Sequence, residues 1–423
     1  MPQDLTVDIR SNPSLDYTVL PRQRTGSDKN PSRSEPLDLS VVLRQVHGGD
    51  LDLLILGSAV PRVRTRSPRA SLSITAPTLV RKAARLRTMW RDRLVCHTET
   101  IDGEVRYPLA ESADLSAHAG LMDRLTGEMA DEGAYLLDCL LGGDTHEERS
   151  LRALFTDILG SERALRISFD SDIYLPWPML SLDPRDHGGP WGSFLGHRHQ
   201  IEQTGGTWPE YDFPWGARAQ AITSLNTDTQ LDSVGRAPDV RKLLEERSRL
   251  TVRTEAGPLL EALSGAHFDE DLMYFWCHGH FVDNGSPHPH LVLRLSDEQH
   301  IDADSIELRR RRIDYTARTR FKPFVLLNAC HAGQPAAAPQ LEHLGQALIK
   351  FGADGVLGPQ IEIPQDFASE YAYEFLNLYL SGNHTAGEIS LQLVRRFAEG
   401  FRNPLALTYS LHCGLDSRLD LSS

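Results

Sequence analysis

The sequence predicts an α/β protein with a mostly parallel β-sheet flanked by helices. Beyond residue 163, short apolar segments alternate with segments whose apolar residues recur every three or four positions, as strands and helices alternate in this class. Two apolar segments, "YFWC" (274–277) and "FVLLNA" (324–329), lack polar alternation, which is typical of strands that helices cover on both faces. The 423 residues, 40% of them hydrophobic, suffice for a large core and more than one domain.

The chain before residue 163 divides into three predicted regions. Residues 1–37 are rich in Ser, Pro, Asn and Asp and cannot bury enough apolar area to offset chain entropy, so we expect a disordered arm. Residues 38–112 contain three β-type runs, "LDLSVVLRQV", "LDLLILGS" and "SLSITAPTLV", which indicate a small β-rich subdomain. Residues 113–162 change to helical spacing and predict two helices, the second ending near Gly160.

Strands and helices then alternate to the end of the chain. The predicted strands are "ALRISFD", "ARAQAITSL", "LTVRTEA", "DLMYFWC", "KPFVLLNAC", "ADGVLGP" and "LALTYSLHCG". The predicted helices are "APDVRKLLEERSR", which has Pro238 near its first turn, then "GPLLEALSG", "LGQALIKFG", "FASEYAYEFLNLYLSG" and "TAGEISLQLVRRFAEG". The four consecutive arginines Arg309–Arg312 are expected to form an exposed linker.

The composition argues against several classes of function. A formal net charge of −14 disfavours a nucleic-acid-binding surface. No apolar run has the length needed to cross a bilayer, and the N-terminus lacks a signal-peptide pattern, so we expect a cytoplasmic protein with no membrane partner. The cysteines are odd in number and scattered, so no disulfide framework is expected; they are Cys96, Cys139, Cys277, Cys330 and Cys413.

Two of the predicted strands end in chemically reactive residues. "DLMYFWCHGH" leads to His278, and "FVLLNACHAG" leads to Cys330. Functional groups of open α/β sheets collect at the carboxyl ends of strands. If the two strands are parallel neighbours, these two residues face one another across a crevice, and the 52 residues between them leave room for one crossover unit.

This pair has the chemistry of a cysteine nucleophile and its base. A thiol with a pKa of about 8.5 is mostly protonated at neutral pH, so an imidazole must activate it. The backbone N–H groups of Gly279 and Cys330 are candidates for an oxyanion hole, because glycine lets the chain turn sharply there and expose its amide. Gly333 would let the chain leave the strand. His331 is adjacent to the cysteine and therefore belongs on the opposite face, which leaves His278 as the expected base.

Other interpretations of these residues stay open. A cysteine at the end of an apolar strand is often an inert core residue. The segment "CHGHFVDNGSPHPH" could instead hold a metal ion, although Asp283 is spaced too widely for the tighter histidine motifs and no second ligand cluster stands out; its candidate ligands are His278, His280, Asp283, His288 and His290. We therefore predict neither a metal nor another cofactor.

The two strand ends carry a family resemblance. "LMYFWCHGHF" followed by "LLNACHAG" resembles the CHAT family of caspase-like cysteine proteases, which typically has a strand ending in Thr-His-Gly and another ending in Ser-Ala-Cys with Gly three residues beyond. "LGQALIKFGADGVLGPQIEIP", "NPLALTYSLHCG" and "ALRISFDSDIYLPWPMLSLD" resemble further parts of that family. The resemblance extends over about residues 113–415.

The resemblance implies a caspase-like fold with a pseudo-catalytic first half, 163–254, and a catalytic second half, 255–423, after a small β/helical N-terminal region. It implies a cysteine endopeptidase with the dyad His278 and Cys330. Members of the family cut a protein partner in bacterial defence or regulated cell death. The implied partners are therefore a protein substrate, such as a pore-forming or effector protein, and a sensor or activator protein. A silent caspase-like interaction module is the main alternative.

Substrate preference is where the sequence departs from the family. Asn328 stands where Ser or Gln is usual, His331 replaces a common acidic residue, and "LGPQIEIP" lacks the usual Trp. Carboxylates near the implied pocket would favour a basic side chain on the amino side of the cleaved bond, although solvated loop acids are the plainer interpretation. These candidate pocket residues are Asp283, Glu362 and Asp366.

Overall fold

The computed structural model describes residues 36–422 apart from 47–48, 62–66, 102, 206–216, 266, 283–289, 298, 312, 314–320 and 332–338. For residues 101, 280–282, 290–291, 330–331 and 339–343 it describes the backbone alone. The expected disordered arm, 1–37, lies outside the described residues except for its last two positions.

Strands and helices alternate along the described chain as follows. The strands are β1 (Leu39–Gln45), β2 (Leu51–Leu56), β3 (Arg69–Leu72), β4 (Glu99–Ile101), β5 (Glu104–Arg106), β6 (Arg166–Ser171), β7 (Gln200–Thr204), β8 (Ala221–Thr227), β9 (Ser248–Arg253), β10 (Leu272–Val282), β11 (His290–Arg294), β12 (His300–Ile301), β13 (Phe324–His331), β14 (Gly355–Pro359) and β15 (Tyr409–His412). The helices are α1 (Ala76–Trp90), α2 (Ala119–Leu140), α3 (His146–Leu159), α4 (Gly189–Ser193), α5 (Leu195–Arg198), α6 (Ala237–Arg247), α7 (Ala256–Leu263), α8 (Ala303–Arg310), α9 (Pro339–Lys350), α10 (Gln365–Tyr379) and α11 (Ala386–Gly400).

One mixed sheet contains thirteen of the described strands. Its order is β12-β11-β10-β13-β14-β15-β7-β6-β1-β2-β3, and β8 and β9 extend it beside the first half of β10. β8, β9, β10, β13 and β14 run parallel to one another. β15 is antiparallel to β14, and β7, β6 and β1 follow the direction of β15. The predicted α/β class, with a mostly parallel sheet flanked by helices, is confirmed.

The central strands are buried on both faces, as their continuous apolar sequences predict. In β10, Tyr274 and Trp276 join a large hydrophobic cluster that includes residues of α6, α10 and α11. Phe275 and Cys277 point the other way and join a second cluster with residues of α7, α8 and α9. Each of these four side chains is at most 2% exposed, so the faces of β10 are set by its two-residue period.

The strands near the start of the described chain belong to the same sheet as the later ones. β1 pairs in parallel with β6, and Arg44 forms an ion pair with Asp170 across that pairing. β8 and β9, assigned from sequence to the pseudo-catalytic half, pair beside β10. The predicted boundaries at residues 112, 162 and 254 stay predictions, and the chain from Pro36 onward forms one compact unit.

Two local predictions are wrong. "SLSITAPTLV" is a strand only as far as Leu72, because α1 begins at Ala76 with a proline in its first turn, where proline needs no N–H partner. Arg310 is not part of an exposed linker: it lies at the end of α8 and is 0% exposed. Four residues after the buried Ile306, it shares that residue's inward face of the helix.

Arg310 is buried because its guanidinium has partners in the interior. It donates to the backbone carbonyls of Leu263 and Gly265 at 3.1 and 3.2 Å, and it lies 4.0 Å from the centre of the Phe321 ring. Its neighbour Arg309 is exposed, as predicted. Within the described part of the chain, no helix combines the length and the apolar character needed to cross a membrane.

Candidate active site

The carboxyl-terminal halves of β10 and β13 bring together the two residues that the sequence predicted as a pair. The two strands are parallel neighbours, and His278 lies directly opposite Cys330 in their register. His278 follows Tyr274 and Trp276 at the two-residue period, and Cys330 follows Leu326 and Asn328 in the same way. Tyr274, Trp276 and Leu326 belong to one hydrophobic cluster, so both residues occupy positions on that cluster's face of the sheet.

The surroundings of His278 include an acidic residue that the sequence reasoning missed. The His278 side chain is 23% exposed, and its Nε2 lies 3.5 Å from Oδ2 of Asp228, whose side chain is 4% exposed. Asp228 follows the last residue of β8, and β8 runs parallel beside β10. The rule that functional groups collect at the carboxyl ends of parallel strands would have found it in "AITSLNTDT".

Asp228 is held by several hydrogen bonds. Its backbone N–H donates to the Trp276 carbonyl at 3.0 Å. Its Oδ1 accepts from the Gln230 backbone N–H at 3.0 Å and from the Ser296 hydroxyl at 3.4 Å. The Ser296 hydroxyl also accepts from the backbone N–H of Thr229 at 2.9 Å. One carboxylate oxygen of Asp228 is therefore occupied by the loop, and the other faces His278.

Gly279 does not end its strand, contrary to the sequence prediction. β10 continues to Val282, with Gly279 paired to His331 on β13 and to Leu293 on β11. The reason is that β11 takes over the edge of β10 at His278, beyond the point where β8 stops, so pairing continues past the glycine. The sharp turn expected at Gly279 is wrong, and its role as an oxyanion donor stays a prediction.

Asn328 connects β13, the strand that carries Cys330, to the helix that follows β14. It is 0% exposed, and its Nδ2 donates to the Ala368 carbonyl in the first turn of α10 at 2.8 Å. Its Oδ1 accepts from the Tyr409 hydroxyl at 2.6 Å, and the Tyr409 ring stacks on Tyr371 of α10 with centroids 3.8 Å apart. The residue two positions before Cys330 is therefore hydrogen-bonded both to the first turn of α10 and to Tyr409.

Asp366 lies in that first turn of α10, close to the loop that follows Asp228. A methyl group added to Gly235 would lie 2.3 Å from Ser369 Oγ and 3.0 Å from Asp366 Oδ1, and Gly235 has a left-handed φ of +49°. This loop approaches the helix closely because glycine has no side chain there. The packing places Asp366 next to the loop that also carries Asp228.

Glu362 lies near helical residues 76–95, which we call the N-terminal helical region. Burial raises the pKa of its carboxyl above the usual range; the nearby Arg91 guanidinium lowers that pKa, and Asp92 raises it. Beside it, Arg87 of α1 donates to Oε1 of Gln360 at 2.9 and 3.2 Å. The segment after β14, expected to shape the substrate pocket, is therefore in contact with residues 87–92.

The remaining predicted site residues fall partly outside the described structure. Asp283 and Gly333 lie outside the described residues, as does His288 of the metal alternative. The other histidines of that alternative, His280 and His290, are described by their backbone alone. Among the side chains that the structure does describe, no group of three or more His, Cys, Asp or Glu is arranged to hold a metal ion.

The other cysteines have no comparable setting. Cys277 and Cys413 are buried free thiols, and burial raises the pKa of Cys413 well above its usual range, which makes it unreactive. Cys139 is half-buried and Cys96 is exposed. A cavity of about 580 Å³ lies along α3, lined by Arg149, Arg152 and His187 among others, and shares no residue with the strand ends.

Comparison with known proteins gives limited similarity. No family model matches the chain. A protein of Vitiosangium sp. (strain GDMCC 1.1324) named "Probable protease" is 25% identical over 240 residues, which cover 51% of this chain and 28% of that protein. The chain therefore matches less than a third of that relative's length.

Two solved structures of the Saccharomyces cerevisiae separase–securin complex are similar at TM-scores of 0.45 and 0.46. Sequence identity is 11% in both cases. The match covers 89% of this chain and 30% of the chain in each of those structures.

Proposed function

We propose that this chain is a caspase-like cysteine endopeptidase, similar to the CHAT family, with His278 and Cys330 as its catalytic dyad. The observation that supports the proposal is the direct pairing of these two residues in the carboxyl-terminal halves of adjacent parallel strands. The relative named a probable protease agrees with the proposed class of reaction. Neither residue type is unusual alone, but their alignment across two strands matches what thiol catalysis requires.

In the proposed reaction, the thiol proton of Cys330 passes to the His278 imidazole, and the thiolate attacks the peptide carbonyl carbon. A sulfur–carbon bond forms while the carbonyl π electrons move to oxygen. The resulting oxyanion accepts hydrogen bonds from the proposed donors, the N–H groups of Gly279 and Cys330. The tetrahedral intermediate then collapses, the carbon–nitrogen bond breaks, and the departing amine takes the proton from the imidazolium. Water hydrolyses the thioester in the same way and restores the thiol.

The substrate pocket is proposed to lie between the first turn of α10 and the loop after β8. Asp366 lies there, and a carboxylate in that position would favour a basic side chain next to the cleaved bond. Glu362 faces Arg91 and is the weaker candidate. Asp283, which lies outside the described residues, stays a candidate pocket residue from the sequence alone. Replacing Asp366 with Asn should therefore lower the preference for Arg and Lys.

The biological setting is proposed from the family resemblance. The substrate would be a specific protein partner, such as a pore-forming or effector protein, cut in a bacterial defence or cell-death pathway in the cytoplasm. A sensor or activator protein would start the reaction. The contact of Arg87 with Gln360 offers a physical connection between the N-terminal helical region and the proposed pocket.

A library of internally quenched peptides tests the proposal. The residue on the amino side of the cleaved bond is varied over all the amino acids. Wild type, Cys330→Ala, His278→Ala and a matched control, Cys139→Ala, are compared at equal concentration. Cleavage by wild type and the control but by neither dyad variant is expected. Cleavage that survives either dyad substitution would contradict the mechanism. A wild type that captures a protein partner and leaves both partner and peptides intact would instead indicate a silent interaction module.

A further inference from the structure

We infer that Asp228 is the positioning residue for His278, so that the site works as a cysteine, a histidine and a buried acid in series. The inference rests on the proposed function and adds to it a residue that the two-residue dyad does not include. It is carried by the geometry: Asp228 Oδ2 lies 3.5 Å from Nε2 of a partly exposed histidine, and the acid itself is almost completely buried. Catalytic hydrogen bonds of free enzymes are often this long and shorten when substrate binds.

The carboxylate is fixed before any substrate arrives. Its backbone is hydrogen-bonded to β10 through the Trp276 carbonyl, and its Oδ1 accepts from Gln230 and Ser296. Only Oδ2 is directed at the imidazole. A group that orients a catalytic side chain must itself be held in one position, because a mobile group cannot restrict the conformations of the side chain that it contacts.

This arrangement decides which ring nitrogen does the chemistry. A carboxylate opposite Nε2 favours the tautomer that carries its proton there, which leaves Nδ1 free to take the thiol proton of Cys330. When that proton arrives, the ring becomes positive, and the buried negative charge stabilises it without itself becoming protonated. The proton stays on the imidazole until the departing amine takes it, so the proton balance of the proposed reaction is unchanged.

The other strand beside His278 makes a compensating acid more necessary. Arg294 occupies the β11 position directly opposite His278. Residues opposite each other in an antiparallel pair have their Cβ atoms about 4.5–5.5 Å apart, and like charges in such positions repel. An imidazolium at position 278 therefore has a cation as its strand neighbour, and Asp228 is the described acid placed against the same ring.

The test measures how fast Cys330 is alkylated by iodoacetamide at pH 7, followed by peptide mass spectrometry. Reduced glutathione added to the same tube reports the rate of an ordinary thiol. The key variant is Asp228→Asn, which keeps an oxygen for Gln230 and Ser296 and removes the charge. The matched control is Asp232→Asn, an acid in the same loop whose Oδ1 accepts from the Thr227 hydroxyl. Melting temperatures of all variants are recorded.

In wild type, Cys330 should react at least about tenfold faster than glutathione, and Asp228→Asn should lower that ratio about tenfold, the change that one pKa unit of thiolate stabilisation gives. Asp232→Asn should leave the ratio unchanged. If His278→Ala loses the advantage while Asp228→Asn keeps it, Asp228 is not the positioning residue. If wild type shows no advantage over glutathione, or His278→Ala retains it, the dyad itself is wrong. Should Asp228→Asn melt early, Asp228→Ser replaces it, because serine still offers an oxygen to the Gln230 N–H and carries no charge, and a ratio equal to wild type there overturns the inference.

Discussion

The buried contact between Asn328 and Tyr409 offers the sharpest test of how β13 is held in place. The Asn328 amide bridges two groups that have no access to solvent, the Ala368 carbonyl and the Tyr409 hydroxyl. We consider Asn328→Ala, Tyr409→Phe and the double variant. Phenylalanine keeps the ring that stacks on Tyr371 and removes only the hydroxyl. The double-mutant cycle therefore isolates the hydrogen bond between the Tyr409 hydroxyl and the Asn328 side chain.

The magnitude follows from which groups are left without a partner. A buried polar group without its hydrogen bond costs about 1–3 kcal/mol. Asn328→Ala takes the Tyr409 hydroxyl's partner away and should lower the free energy of unfolding by about 1–3 kcal/mol, because the Ala368 carbonyl keeps its bond within α10. Tyr409→Phe leaves the Asn328 oxygen without this donor and should cost about 1–3 kcal/mol. The double variant contains neither of these two groups, so the two changes should fall short of additivity by about 2–6 kcal/mol.

Urea unfolding followed by tryptophan fluorescence measures this cycle. Trp276 is buried and lies directly opposite Asn328 on the neighbouring strand, so its emission reports the same region. Effects that add to within about 0.5 kcal/mol would refute the reasoning, because they would mean that the hydroxyl and the amide do not stabilise each other.

Two further predictions concern other buried polar groups. Arg310→Ala should lower the free energy of unfolding by about 2–4 kcal/mol, because two backbone carbonyls lose their donor. Replacing its exposed neighbour, Arg309→Ala, should change the free energy of unfolding by less than about 0.5 kcal/mol. Thermal unfolding measures both variants, and equal effects would contradict the burial assigned to Arg310. Burial lowers the pKa of His199 from 6.5 to about 4, so the unfolded chain binds the proton first. The contribution of neutral His199 to the free energy of unfolding should then be fully present above pH 6.5 and fall by up to about 3 kcal/mol as the pH drops toward 4. His199→Gln should flatten the pH dependence of the urea midpoint between these two pH values. An unchanged slope in the variant would contradict this assignment to His199.

The alignment of His278 with Cys330 was predictable because it depends on local signals. Two continuously apolar segments identify buried strands, and the chemistry of the residues that follow them identifies the rim of the sheet. The relation of Asp228 to His278 was not predictable in the same way. It depends on β8 pairing with β10, a contact between segments about 50 residues apart, and the sequence assigned those strands to different halves of the molecule.

The local errors have physical reasons too. The first turn of α1 was included in a β-type run that contains the β-branched Thr78 and Val80, and burial of one helix face outweighed their intrinsic preference. Gly279 was expected to break β10, but pairing with β13 and β11 on its two sides holds it in an extended strand. In each case a tertiary contact outweighed a correctly recognised local preference.

The reversal of strand direction between β14 and β15 has an electrostatic consequence for the rim that carries His278 and Cys330. β8, β9, β13 and β14 all end at this rim, and each is followed along the chain by a helix, namely α6, α7, α9 and α10. The amino ends of those helices therefore gather there, each with a partial positive charge from its aligned peptide dipoles. β15, β7 and β6 run the other way, so their carboxyl ends lie at the opposite rim. The backbone alone thus makes the rim that carries His278 and Cys330 the side of the sheet on which a negative charge is more stable.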